Sequence, residues 1–232
     1  MVKDELIQRS PVRVFMNSIQ GGLGPGELGL IASPSGIGKT SVLVQIALDK
    51  LLQGKKVIHI SFTQHTDYVL AWYKNIFDEF IRKKNLENEQ DVKDEIVKNR
   101  VLMKFTQGGI SGEQIARSIR TLIKDGGFNA EVLIIDGFDF SAAAEGKIAT
   151  VKSFAAEMGV SVWFSCTVRD ERSVYDNRNI PLVIKDYSDL FEVVIVLEPK
   201  PDHIALTVSK NRDACGLENL ALKLDPRTLL IM

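Results

Sequence analysis

The residues with the clearest chemical meaning form one short segment in the first quarter of the chain. Positions 33–40 read Ser-Pro-Ser-Gly-Ile-Gly-Lys-Thr. They match the phosphate-binding pattern GxxxxGK[ST], except that Ser33 replaces its first glycine. Gly36 and Gly38 let the backbone approach phosphate oxygens closely, so that successive N–H groups can point at one anion. The segment therefore predicts a binding loop for the phosphates of a nucleotide.

Two side chains at the end of this loop have the chemistry that a magnesium nucleotide requires. We expect Lys39 to reach the β- and γ-phosphates and Thr40 to bind Mg²⁺ through its hydroxyl. ATP and Mg²⁺ are therefore the predicted cofactors, with ADP as the second nucleotide ligand. The predicted cofactor-binding residues are Ser35, Gly36, Ile37, Gly38, Lys39, Thr40 and Ser41.

An acidic residue follows the most apolar stretch of the chain. Positions 132–135 read Val-Leu-Ile-Ile, and the next residue is Asp136. This pattern indicates a buried strand that ends in a carboxylate at the edge where open α/β sheets bind their ligands. Asp136 and Thr40 are the predicted metal ligands, the carboxylate acting through a water molecule.

The elements that must position these residues alternate between strands and helices. Short apolar runs predict five strands, at 28–32, 57–62, 101–105, 132–136 and 160–166. Helical spacing of apolar residues predicts helices at 41–53, 67–98, 111–125 and 142–158. Such alternation predicts right-handed βαβ units and a mainly parallel central sheet. Closely spaced runs predict antiparallel edge strands, at 193–197, 204–209, 221–224 and 229–232.

Length and composition limit the class of protein further. The 232 residues predict a single domain over 1–232, in which 1–20 form a lead-in segment. The 29 basic and 30 acidic residues give a net charge of −1, which does not favour nucleic acid as a partner but leaves it open. We expect a cytoplasmic protein that does not enter a membrane, because no apolar run approaches the roughly 20 residues that a spanning helix needs.

The order of these segments resembles the RecA-like ATPase core, most closely the C-terminal ATPase domain of DnaB-type replicative helicases. KaiC-like proteins are a looser match. The resemblance covers residues 20–232 and implies a three-layer RecA-like P-loop fold that assembles as a homo-oligomeric ring or filament. Besides the phosphate loop, it rests on Ile-Ile-Asp-Gly-Phe-Asp at 134–139, Ser-Asp-Leu-Phe-Glu-Val-Val at 188–194, Ser-Lys-Asn-Arg at 209–212 with Gly216, and Leu-Asp-Pro-Arg-Thr at 224–228.

The resemblance gives a catalytic role to a late basic pair. Lys210 and Arg212 are two positions apart in a segment that we expect to be extended, so that both face one side. The resemblance implies that they reach the γ-phosphate bound by a neighbouring subunit, which requires head-to-tail assembly. Without it, the pair reads as two solvated cations at the end of a strand.

Two departures from the family pattern bear on hydrolysis. Thr63 occupies the place of the family's water-activating glutamate, and the Ser-Gln pair after the fifth strand reads Ser165-Cys166. Gln64 can orient a water molecule but is a poor base, and a general base contributes typically about 10²–10⁴-fold to the rate. We therefore predict that nucleotide binding is intact and that ATP hydrolysis is slow, with Lys39 and Gln64 as candidate catalytic residues. Asp67 and Asp139 are the alternatives to Gln64.

Three functional interpretations stay open. The first is an ATP-binding protein with weak or regulated ATPase activity, which the missing glutamate and the balanced charge favour. The second is an active DNA-dependent ring ATPase resembling a helicase motor. The third is a small-molecule kinase with 169–178 as a lid. That loop carries three arginines offset by three acids, whereas a groove that tracks nucleic-acid phosphates should be basic.

Overall fold

A computed structural model describes residues 11–84, 89–106, 110–140, 144–168 and 175–232. Its strands are β1 (Leu28–Ser33), β2 (Val57–Ser61), β3 (Arg100–Lys104), β4 (Val132–Asp136), β5 (Ser161–Thr167), β6 (Val193–Pro199), β7 (Ile204–Asn211) and β8 (Ala214–Leu224). Its helices are α1 (Pro11–Ser18), α2 (Lys39–Leu52), α3 (Thr66–Lys84), α4 (Glu89–Lys98), α5 (Gly112–Lys124) and α6 (Ala144–Met158), and a 3₁₀ segment covers Leu182–Leu190.

The strands form one sheet in the order β3-β2-β4-β5-β1-β6-β7-β8. Neighbouring strands from β3 to β6 are parallel, whereas β7 and β8 are added in antiparallel fashion. The chain is therefore an α/β protein with a mostly parallel sheet, and the predicted antiparallel edge is confirmed for β7 and β8. The strand expected at 193–197 is β6, which is parallel to β1 and joins the antiparallel edge only through β7. β1 lies inside the sheet between β5 and β6, so the segment that follows it lies at the middle of an edge.

Helices cover both faces of the sheet, which gives three layers. Successive residues of a strand point to opposite faces, and Leu30 and Ile31 of β1 accordingly enter different apolar clusters. The Ile31 cluster contains α1, α2 and α3, whereas the Leu30 cluster contains α5 and α6. Because both faces are covered, the central strands read as continuous apolar runs, and this made them predictable.

Several elements differ from the sequence-based expectations. The amphipathic helix α1 lies in the segment 1–20, where the sequence predicts only a lead-in. Its residues Val12, Phe15 and Met16 are buried. The helix expected over 67–98 is two helices, α3 and α4, and 85–88 lie outside the described residues. β8 begins at Ala214 instead of 221.

The prediction of a strand at 229–232 is wrong. Leu229 has a left-handed backbone, with φ of 55°, which interrupts an extended conformation. Only Ile231 forms a strand-like bridge, with Leu224. The segment instead turns back after Asp225, whose side chain accepts hydrogen bonds from the amides of Arg227 and Thr228.

No helix in the described ranges combines the length and the apolar character that crossing a membrane would require.

Candidate functional site

The predicted phosphate loop joins β1, which is buried along its whole length, to the first turn of α2. Gly36 and Gly38 have φ of 81° and 112°, values that L-residues rarely adopt. The residue before α2 is Gly38, which supplies no side-chain cap. The first N–H groups of α2 therefore have no side-chain acceptor at that position, and together with the helix dipole they form a site suited to an anion.

Lys39 is folded back onto its own loop. Its Nζ donates to the carbonyl oxygens of Pro34 and Ser33, at 2.8 and 3.1 Å, and to the Ser33 hydroxyl at 3.3 Å. All three acceptors are uncharged, and only 9% of Lys39 is exposed. Burial lowers the pKa of Lys39, and the side chains of Cys166 and Asp136 only partly oppose this. The ammonium group is therefore a desolvated cation that would gain from an anionic partner.

The two predicted metal ligands are in direct contact, although 96 positions separate them in the chain. Thr40 Oγ1 donates to Asp136 Oδ2 at 2.8 Å, and the second carboxylate oxygen accepts from Ser165 Oγ at 2.6 Å. Mg²⁺ suits one carboxylate and one hydroxyl, because it keeps several waters and takes phosphate oxygens. Within the described ranges no group of three His, Cys, Asp or Glu residues could hold a metal, so the nucleotide would have to complete the coordination.

Gln64 follows β2 beside this carboxylate. Ser61 pairs in register with Asp136, and its hydroxyl accepts from the Gln64 amide at 3.0 Å. Gln64 Oε1 is buried without a hydrogen-bond partner among the described residues. A buried, unpaired acceptor is uncommon and indicates a place for a donor such as water. Of the two alternatives to Gln64, the structure places Asp67 against His65, at 3.1 Å.

The turn after Asp136 is closely packed against the end of β2. Gly137 has φ of 75°, and a Cβ atom there would lie 2.5 Å from Thr63 Oγ1. Thr63, at the place of the family's glutamate, is exposed and therefore faces solvent. The structure thus brings Thr63, Gln64 and Asp136 to one edge of the sheet.

The remaining loop residues are placed in different ways. Ser35 and Gly36 are exposed, whereas Ile37 packs against the apolar cluster of α2. Ser41 is buried, and its hydroxyl donates to the Leu229 carbonyl at 2.8 Å. The Ser41 side chain is therefore engaged by the carboxy-terminal segment, and the backbone of this residue is what remains for a phosphate.

The sequence did not identify Gln45, which lies in α2 and binds the carboxy-terminal segment that contacts the loop. Gln45 is fully buried; its Nε2 donates to the Leu229 carbonyl at 2.9 Å, and its Oε1 accepts from the Ile231 amide at 2.9 Å. A Cβ on Gly38 would lie 3.4 Å from the Leu229 side chain, so this segment touches the loop itself. The available signal was a glutamine inside the apolar run at 42–48 of the helix.

Lys210 and Arg212 lie far from the loop. The expectation that they share an extended segment is wrong, because β7 ends at Asn211 and Arg212 has φ of 55°. Lys210 Nζ donates to the Ser188 carbonyl at 3.0 Å, and the guanidinium of Arg212 donates to Glu27 Oε2 at 2.9 Å. Glu27 precedes β1, so this pair lies at the edge opposite the phosphate loop.

The polar loop expected at 169–178 is described only in part. Residues 169–174 lie outside the described residues, and Arg178 pairs with Asp176 at 3.3 Å. A cavity of about 500 Å³ lies elsewhere, between α3 and α4; Asp67, the alternative to Gln64, lines it, whereas the residues of the phosphate loop and Asp136 do not.

Comparison with protein-family models found no match to the chain. Comparison with curated proteins found none either. The fold defines an α/β protein with a mostly parallel sheet, and any assignment of function depends on the geometry of this edge.

Proposed function

We propose that the chain is an ATP-binding P-loop domain, similar in fold to the RecA and DnaB ATPases, with weak or regulated ATPase activity. The observation that carries the proposal is the contact between Thr40 Oγ1 and Asp136 Oδ2, at 2.8 Å, beside a glycine-bearing loop. A strand, a phosphate loop and a helix place the hydroxyl, and a different strand places the carboxylate. Their meeting at one edge is what a magnesium nucleotide site requires.

The phosphates would be held by the first amides of α2 and by Lys39. The ammonium donates to the Pro34 and Ser33 carbonyls, which are neutral acceptors. A phosphate oxygen offers a charge-assisted hydrogen bond of roughly twice the strength, so exchange of these acceptors favours binding. Loop and lysine are thus arranged to receive an anion without a large change in the backbone.

The metal would be held by the Thr40 hydroxyl and, through water, by Asp136. When bound, it neutralises charge on the β- and γ-phosphates. Asp136 is 2% exposed, and it gains a second fixed bond from Ser165, so its orientation is set before a nucleotide arrives. The residues present therefore fit Mg²⁺ together with a triphosphate.

Slow hydrolysis of ATP follows from two residues that come after β2, Thr63 and Gln64. Thr63 is not a base, and the Gln64 amide can orient a water molecule without removing its proton. Gln64 Oε1 is buried and has no partner among the described residues, which leaves an acceptor for that water. Binding would therefore persist while hydrolysis lacks the typical contribution of a general base, about 10²–10⁴-fold.

A DNA-dependent ring ATPase is the second candidate, and one observation favours it. Lys210 and Arg212 lie at the edge opposite the chain's own loop, so they could serve only a nucleotide held by another copy. Against it, both cations are engaged inside the chain, by Ser188 and Glu27 among others. The weak or regulated ATPase therefore explains more of the geometry.

The first experiment measures ATP binding with Mg²⁺ by calorimetry for wild type, Lys39→Met and Lys50→Met. Lys50 is a matched control, because both lysines lie in α2 and each is 9% exposed. We expect saturable binding by wild type and by Lys50→Met, and a roughly 100-fold loss in Lys39→Met, since a charge-assisted contact is worth about 2–3 kcal/mol. Absence of binding by folded wild type, or equal affinity in Lys39→Met, would refute the proposal.

The same preparations then report turnover as phosphate release, with and without single-stranded DNA. We expect slow release, a further decrease in Gln64→Ala and no stimulation by DNA. Strong stimulation by DNA would replace the weak ATPase with the ring motor.

A further inference from the structure

We propose that Ser165 is a positioning residue that fixes the metal-binding carboxylate of Asp136. The inference rests on the proposed nucleotide site and adds a residue to it. Ser165 lies on β5, between the strand that leads to the loop and the strand that ends in Asp136. It is 2% exposed, so its hydroxyl is satisfied by protein groups.

The hydroxyl of Ser165 makes two hydrogen bonds with a fixed direction. It accepts from the Gly137 amide at 2.7 Å and donates to Asp136 Oδ1 at 2.6 Å. A serine hydroxyl has one proton. An amide can only donate, so the Gly137 bond uses an acceptor site of the hydroxyl and leaves its proton for the carboxylate.

The two oxygens of Asp136 consequently have different partners. Ser165 holds Oδ1, while Oδ2 faces Thr40 Oγ1 at 2.8 Å. Rotation of the carboxylate would break both bonds together. Oδ2 is therefore kept on the side of the phosphate loop, where the metal and its water would be bound.

The turn at Gly137 belongs to the same hydrogen-bonded arrangement as Ser165 and Asp136. Its left-handed backbone, with φ of 75°, turns the chain away from the direction of β4, and its amide donates to Ser165 at the start of that turn. Turn, serine and carboxylate thus hold one another in a single arrangement. Outer partners of metal ligands act in this way, and their loss typically lowers metal affinity about 10–100-fold.

Ser161 provides a matched control on the same strand. Ser161 lies four residues before Ser165, so the two side chains point to the same side of β5. It is also buried, at 6% exposure, but its hydroxyl meets only a long acceptor, the Glu131 carbonyl at 3.4 Å. Removing this hydroxyl alters strand β5 without touching Asp136.

The test measures ATP affinity by calorimetry in Mg²⁺ and in EDTA, for the full chain. In Ser165→Ala we expect the ratio of the two affinities to fall about tenfold, with the affinity in EDTA within twofold of wild type. Ser165→Cys keeps the size but has a weak donor, and we expect an intermediate loss of about threefold. Ser161→Ala should keep the wild-type ratio. Thermal unfolding of each variant confirms that it is folded.

Three results separate the outcomes. An unchanged ratio in Ser165→Ala and Ser165→Cys would overturn the inference while leaving the proposed function intact. An equal loss in Mg²⁺ and EDTA would also overturn it, because that pattern marks a general structural role. Failure of wild type to bind ATP in either solution would be a failure of the proposed function itself.

Discussion

Two polar clusters lie at opposite edges of the same sheet and use their groups differently. The carboxyl-edge cluster comprises Lys39, Thr40, Gln64, Asp136 and Ser165; the amino-edge cluster comprises Glu27, Lys152, Glu192 and Arg212. In the amino-edge cluster opposite charges pair directly, Arg212 with Glu27 and Lys152 with Glu192, and Glu192 also accepts from the Leu28 amide. In the carboxyl-edge cluster the cation is held by uncharged oxygens.

The difference shows which of two clusters of similar composition has groups left to bind a ligand. Charges that neutralise one another have little to offer a ligand. A buried ammonium on neutral acceptors, and at the same edge a glutamine oxygen without a partner among the described residues, retain unused capacity for a ligand.

The largest expected effect is steric and falls on the carboxyl edge. Gly137→Ala would place a methyl group 2.5 Å from Thr63 Oγ1 in a backbone with φ of 75°. We expect it to lower the free energy of unfolding by about 3 kcal/mol, from overpacking and left-handed strain together. Denaturant titration measures this.

Gly159→Ala is the control for the backbone contribution alone. Gly159 has φ of 66°, but nothing lies within 4 Å of the added Cβ. Its cost should be about 1 kcal/mol. Equal costs at the two glycines would mean that the end of β2 does not press on the turn.

A smaller effect is expected at the amino edge. Arg212→Met removes the donors to Glu27 and to the Gly22 carbonyl, at 2.9 and 3.0 Å. Both charged side chains are about a quarter exposed, so we expect a loss of about 1–2 kcal/mol in the free energy of unfolding. ATP affinity should not change. A large loss of affinity would join the two edges functionally and end the contrast between them.

The smallest effect separates the edges by pH. Burial holds the pKa of Lys39 below its ordinary value of 10.5, so between the two values the unfolded chain binds more protons. Through this residue the free energy of unfolding rises as pH increases towards 10.5, while ATP affinity falls as the ammonium is lost. Lys39→Met should reduce that rise in denaturant titrations from pH 7 to 10, and the part that remains is due to Lys50, whose pKa burial also lowers.

Arg212→Met is the comparison in the same titrations. It leaves both buried lysines in place, so the rise should keep its wild-type size. A smaller rise in Arg212→Met, or an unchanged rise in Lys39→Met, would contradict the assignment of a desolvated cation to the carboxyl edge.

Local patterns explain what the sequence could predict. Five of the six parallel strands follow from apolar runs, and the predicted phosphate loop follows from a short motif; both are properties of adjacent residues. The pairing of Thr40 with Asp136 was also predictable, because parallel strands present their carboxyl ends at one edge. The role of Gln64 and the trans role of Lys210 and Arg212 stay predictions.

Contacts between distant segments explain what could not be predicted. Arg212 finds Glu27 at a separation of 185 positions, and Leu28 finds Glu192 at 164. No local pattern shows whether a cation near a strand end is solvated or paired. Ser165 was noticed only as half of an incomplete Ser-Gln pair, since its bond to Asp136 depends on β5 lying next to β4.

The bonds from Ser41 and Gln45 to the carboxy-terminal segment also set the order in which the site can be built. They join residues 188 and 186 positions apart, Ser41 with Leu229 and Gln45 with Ile231. Protein synthesis proceeds from the amino terminus. The loop at 33–40 therefore leaves the ribosome before the segment at 229–231, and its support is complete only after residue 231 has been added. During translation, this loop exists for a time without the hydrogen bonds that Ser41 and Gln45 later make to that segment.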